Sequence, residues 1–156
     1  MTDYQLLCAQ AREILTEDPW YVTALSNLSA LIWDALPELN WAGFYVLREG
    51  RLNVGPFQGK PACVHIEKGR GVCGTSLERN RTINVPNVHA FPGHIACDSA
   101  SNSEIVVPLH RNGEPVGVMD IDSPIPGRFS PEDQKGLEML AELISSLTDW
   151  EEHPLG

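Results

Sequence analysis

Glu104-Ile105-Val106-Val107-Pro108-Leu109-His110-Arg111-Asn112-Gly113-Glu114-Pro115-Val116-Gly117-Val118-Met119-Asp120-Ile121-Asp122 is the stretch that decides the fold. Two apolar runs rich in β-branched residues flank Asn112-Gly113, a dipeptide suited to the left-handed backbone of a tight hairpin turn. Residues 104–110 and 116–122 therefore read as antiparallel neighbours. Upstream, residues 41–47 and 52–57 flank Glu49-Gly50-Arg51 and suggest a second hairpin. Residues 62–66 and 81–85 are weaker strand candidates, with a short helix expected over 72–78 between them.

Helical periodicity occupies both ends of the chain. Leu7, Ala11, Ile14 and Leu15 form a stripe, with Cys8 beside it as a packing residue. A second helix is expected to be capped by Asp18 and to begin at Pro19, with the stripe Ala24, Leu28, Leu31, Ile32 and Ala35. Ser130-Pro131-Glu132-Asp133 reads as a capped start to a last helix, whose stripe is Leu137, Leu140, Ala141, Ile144 and Leu147. Two helices, about six strands and a final helix imply an α+β domain with an antiparallel sheet, one unit spanning residues 1–156.

Twenty-one acidic residues against eleven Lys and Arg give a formal charge of −10. That excess argues against a nucleic-acid backbone or an anionic membrane as partner. The chain opens without a basic, apolar leader and has no run of membrane-spanning length, so a cytoplasmic location is expected. Four cysteines in a reducing compartment point to catalysis, metal binding or packing before structural disulfides.

Three of those cysteines sit in glycine-rich or irregular sequence: Cys63, Cys73 and Cys97. Cys73, near a helix start, is placed where backbone N–H groups favour a thiolate. Cys97 lies in the long irregular segment 89–103, with His89 and His94 at hand to act in the same way. Reactive thiols with partners able to form a disulfide are the makeup of a redox enzyme. A zinc site from Cys63, Cys73, His94 and Cys97 is the weaker alternative, since no Cys-x-x-Cys pair supports it. Gly69-Arg70-Gly71-Val72-Cys73-Gly74 matches the dinucleotide fingerprint by chance, because a parallel βαβ context and a downstream acid are missing.

Asp120 and Asp122, two apart on a strand, point to one face, which Val116 and Val118 mark as partly buried. Glu104 depends on register. A two-residue turn at Asn112-Gly113 sets it opposite Ile121, on the far face. A three-residue turn through Arg111 sets it opposite Asp120. If the three acids cluster, repulsion and burial raise at least one pKa and leave a carboxyl able to donate a proton. Trp41 and Tyr45 share a strand face, where core packing competes with a role as ligand wall.

Several segments together resemble the free methionine-(R)-sulfoxide reductases. They are Trp41-Ala42-Gly43-Phe44-Tyr45, Gly55 through Cys63, Gly69 through Gly74, Phe91-Pro92-Gly93-His94-Ile95-Ala96-Cys97-Asp98-Ser99, Ser103 through Leu109, and Asp120-Ile121-Asp122-Ser123-Pro124. The resemblance runs from about residue 20 to residue 140. It implies a GAF-like domain with a six-stranded antiparallel sheet and no cofactor. It also implies reduction of the free amino acid's R sulfoxide with thioredoxin as reductant, and a homodimer. By position, it makes Cys97 the nucleophile and Cys63 or Cys73 the resolving thiol, with Cys63 preferred. Glu104, Asp120 and Asp122 become substrate-holding and proton-donating acids, and Trp41 and Tyr45 a wall around the methyl-sulfoxide end. The same resemblance favours the three-residue turn. The alternative is a GAF small-molecule sensor without catalysis, against which the cysteine triplet weighs.

Overall fold

The computed structural model describes residues 1–94 and 98–155. Six antiparallel strands form one sheet in the order β3-β2-β1-β6-β5-β4. The strands are β1 (Trp41–Arg48), β2 (Arg51–Gly59), β3 (His65–Ile66), β4 (Ile83–Val85), β5 (Ser103–Arg111) and β6 (Glu114–Ser123). Both expected hairpins form. Glu49 and Gly50, with φ of 56° and 79°, turn β1 into β2. Asn112 and Gly113, with φ of 53° and 81°, turn β5 into β6. Left-handed backbone at both turn positions suits Asn and Gly.

Alternation along the strands divides the apolar residues between two faces. Ala42, Phe44, Ile105, Val107, Leu109, Met119 and Ile121 face α1 (Tyr4–Glu17), α2 (Tyr21–Ala35) and α4 (Pro131–Leu147), forming the larger core. Trp41, Tyr45, Val106 and Val118 face the other way and pack with α3 (Gly71–Arg79) through Val72, Cys73 and Leu77. The second face is the one that carries the candidate site.

The helix starts show which local signals prevail. Ser130 and Asp133 form a reciprocal capping box at α4, as the sequence suggests. Cys8 is half-buried against the larger core, in agreement with a packing role. Asp18, however, ends α1 instead of capping α2, which begins at Tyr21. Its side chain does accept a hydrogen bond from Trp20 N–H (3.1 Å), so the capping chemistry is used in the connecting turn. The strand expected over 62–66 shrinks to two residues. The segment beyond residue 88 includes a short 3₁₀ turn, Val88–Ala90, capped by Asn87.

The three-residue turn does not form. Arg111 pairs with Glu114 and His110 with Pro115, so the turn has two residues. Leu109 then pairs with Gly117, leaving Val116 as the extra residue of a β-bulge. The bulge advances every later pair by one place, and Glu104 lies opposite Asp122 instead of Ile121. Directly opposed residues share a face, so Glu104 joins Asp120 and Asp122 after all. The grouping follows from a bulge that leaves no mark in the turn residues.

Candidate active site

Glu104 on β5 and Asp120 and Asp122 on β6 are buried together. They line a cavity with an empty volume of about 540 Å³, mouth included. Its other walls include Trp41, Tyr45, Ala62, Cys73, His94, Asp98 and Ser101. Sheet register explains the arrangement. Trp41 lies opposite Asp122 and Tyr45 opposite Val118, so the aromatics and the acids share one face. Gly43, between the two aromatics, pairs with Asp120 on one side and Phe57 on the other. A Cβ there would stand 2.3 Å from the Phe57 Cβ, so only glycine permits this approach of β1 and β2.

Trp41 stacks on Phe57 and Tyr45, with ring centroids 5.0 and 5.8 Å away. Both polar handles reach the loop that precedes β3. Trp41 Nε1–H donates to the Lys60 carbonyl (3.2 Å) and Tyr45 O–H to the Cys63 carbonyl (3.1 Å). The aromatics therefore wall the cavity and also anchor the segment carrying Cys63. Cys63 is disulfide-bonded, whereas Cys8 and Cys73 carry free thiols. Cys97 lies outside the described residues.

Cys73 corrects a sequence expectation. It does sit in the first turn of α3, but its thiol is pushed well above the ordinary range, first by burial and then by Asp120, Glu104 and Asp122. A helix N-terminus contributes a fraction of a charge, about half, whereas three nearby acids and loss of water oppose the thiolate together. His94 does not supply a standing cation either, because burial and His89 hold its pKa below the usual value. His89 makes a hydrogen bond with Asn102 (2.9 Å).

Burial pushes the pKa of Glu104 well up, helped by the charges of Asp120 and Asp122. Asp122 is pushed well up by burial and then by Asp120. Asp120 is also raised by burial, but hydrogen bonds from Glu104 and Cys73 oppose the rise. Its Oδ1 is buried with no protein partner. Tyr45 is raised by burial and by Asp120, so its phenol stays neutral. The site thus combines two carboxyls whose neutral forms burial favours with one better-supported carboxylate, which has an open acceptor position. Cys73, Glu104 and Asp120 also hold their ligand atoms within 4.8 Å of one another, the one such group among the described residues. The zinc set weighed in the sequence as the weaker alternative is not that group, and a disulfide-bonded Cys63 cannot contribute a thiolate to it.

These shifts set a direction for stability. Glu104 and Asp122 hold their protons to higher pH in the folded chain than in the unfolded one. Their contribution is therefore fully present below the ordinary carboxylate range, about pH 4, and declines as pH rises through their raised values. Urea unfolding of the wild type and Glu104→Gln across that range should show a declining component that the variant lacks. Parallel curves for the two proteins would contradict the burial of an ionisable Glu104.

One network is not legible in the sequence. Asn40 Nδ2 donates to Asp98 Oδ2 (3.0 Å) and Ser101 Oγ (2.9 Å), and Asn40 N–H donates to the Asp122 carbonyl (3.0 Å). It ties the residues after position 97 to the start of β1. An asparagine before a strand reads as turn punctuation, so no periodicity or motif singles it out.

Residues 7–147 match the GAF domain family. The chain is 51% identical to the free methionine-R-sulfoxide reductase of Escherichia coli over 133 residues, 83% of this chain and 81% of that protein. It is 50% identical to the Saccharomyces cerevisiae protein of the same name, covering 80% of this chain and 74% of that one. Among solved structures it is similar to that of fRMsr of Staphylococcus aureus in complex with substrate, with 46% identity and a TM-score of 0.90. That similarity covers 96% of this chain and 97% of the other. No described helix is long and apolar enough to cross a membrane. The curled antiparallel sheet, its acid-lined face and these relatives agree: the chain belongs to the GAF-domain family of free methionine-R-sulfoxide reductases.

Proposed function

We propose that this chain, acting as one catalytic unit over residues 1–156, reduces free methionine-(R)-sulfoxide to methionine. The observation that carries the proposal is the convergence of Glu104, Asp120 and Asp122 on one cavity beside the Trp41 and Tyr45 rings. A zwitterionic amino acid needs an anionic partner for its ammonium, and a sulfoxide oxygen needs a proton as its bond to sulfur breaks. Asp120, with a buried oxygen lacking a partner, suits the first task. Glu104 and Asp122, which hold protons, suit the second. The stacked aromatics suit the methyl-sulfoxide end, and a recessed cavity suits a free amino acid better than a methionine sulfoxide held in a peptide chain.

In this reading the Cys97 thiolate attacks the sulfoxide sulfur, and an acid protonates the oxygen. The oxygen passes to the cysteine, methionine leaves with its sulfur reduced, and Cys97 becomes a sulfenic acid. Cys63 then condenses with it, releasing water and forming a disulfide. A dithiol of the thioredoxin type reduces that disulfide and leaves both cysteines as thiols. The disulfide-bonded state of Cys63, beside the free thiol of Cys73, supports Cys63 as the resolving residue. A homodimer in the cytoplasm is the setting we assign.

Purified protein with a thioredoxin system should release methionine from the free R epimer, and neither from the S epimer nor from a peptide carrying the sulfoxide. Equal release from both epimers, or none from the R epimer, would overturn the reading.

A further inference from the structure

We propose that Cys73 is a positioning residue and not a second redox thiol: its buried S–H donates to Asp120 and keeps that carboxylate the ionised member of the acid group. The inference deepens the reading above, because the ionised carboxylate is the group that meets the substrate's ammonium. Three observations carry it. Cys73 is only 4% exposed, in the first turn of α3, with its side chain in the cavity wall. Its sulfur and one carboxylate oxygen each of Glu104 and Asp120 lie within 4.8 Å of one another. Its thiol is free while Cys63 is disulfide-bonded.

The chemistry follows from what each group has to offer. A neutral thiol carries one proton and a carboxylate carries none, so in a hydrogen bond between them the sulfur donates. The Cys73 thiol and the Glu104 carboxyl both stand within 4.8 Å of Asp120, and hydrogen bonds from them lower the cost of its charge against the effect of burial. The surroundings reinforce this assignment. Among the described residues, Tyr45 from β1, Glu104 from β5 and Asp122 from β6 are the titratable groups facing the Cys73–Asp120 pair. Arg70 and His94 complete the charged and titratable lining of the cavity together with Asp98. Facing three acids, the thiol stays protonated, which suits a donor. Attack on a sulfenic acid or a disulfide, by contrast, requires a thiolate.

Serine preserves the donor and removes redox capacity; alanine removes both. Cys73→Ser should keep dithiol-supported turnover within about threefold of wild type and leave its pH profile in place. Cys73→Ala should shift the acidic limb of kcat/KM upward by about one pH unit, since loss of a donor makes the Asp120 charge harder to hold. A ¹³C titration of the Asp120 carboxyl in all three proteins, without substrate, should show the same order: wild type and Ser together, Ala higher. This second measurement decides the proposal even if the wild type proves inactive on methionine sulfoxide, a result that would remove only the substrate reading. Cys73→Ser releasing one methionine per chain and then stalling would identify a resolving thiol and overturn the proposal. Unaltered Asp120 titration in Cys73→Ala would overturn it as well.

Discussion

Cys97→Ser is expected to lower steady-state methionine release by at least roughly 10³-fold, because removing a covalent nucleophile deletes the pathway and not one contact along it. Substrate affinity, measured by calorimetry, should stay within a few-fold, since the acids and aromatics assigned to binding are untouched. Cys63→Ser should behave differently. Its nucleophile remains, so it should release one equivalent of methionine and then stop, with Cys97 trapped as a sulfenic acid that a dimedone-type reagent labels. Rapid-quench measurement of the first turnover separates the two variants. Sustained turnover in Cys97→Ser would end the proposed chemistry.

Asp120→Asn should raise KM and lower kcat/KM by about 10²- to 10³-fold. Truncating one partner of a buried charged pair typically costs about 2–5 kcal/mol, much of it the penalty left on the unpaired partner. In the proposed site that partner is the ammonium of the substrate, which would enter a cavity whose remaining acids favour their neutral forms. The same substitution should leave the protein equally or more stable to urea. A buried carboxylate is a cost to the fold through desolvation, and removing its charge relieves that cost. Activity and stability should therefore move in opposite directions. Lower stability without a change in KM would place Asp120 in the scaffold and not in substrate binding.

The acid group illustrates how a site is divided between chain and fold. Its members stand out in the sequence as carboxylates within strand-like runs, and Asp120 and Asp122 must share a face because side chains alternate along a strand. Glu104 joins them only through register. The turn residues suggest pairing opposite Ile121 or Asp120, whereas the bulge at Val116 gives Asp122. A bulge depends on how two strands and their neighbours pack, and its local sequence is unremarkable.

The thiols follow the same division. Their number and irregular surroundings mark them as chemical candidates, but residue type does not fix their ionisation. Cys73 has the helix-start position that favours a thiolate, and burial among acids from two distant strands reverses that preference. His94 likewise lies near Cys97 in sequence, yet burial keeps it from serving as a standing cation. The Asn40 network joins residues 58 and 61 positions apart, a separation that local patterns do not encode.

By itself the chain determined its periodicities, its two Gly-containing hairpin turns, the capped start of α4 and the residue types from which a thiol–acid site is assembled. These depend on backbone sterics and side-chain direction over a few residues. Tertiary structure decided the register of β5 against β6, which carboxyls hold protons and which sulfur remains a thiol. Those properties are set by water exclusion and by charges brought together from far along the chain, so they appear only once the sheet face has packed against α3.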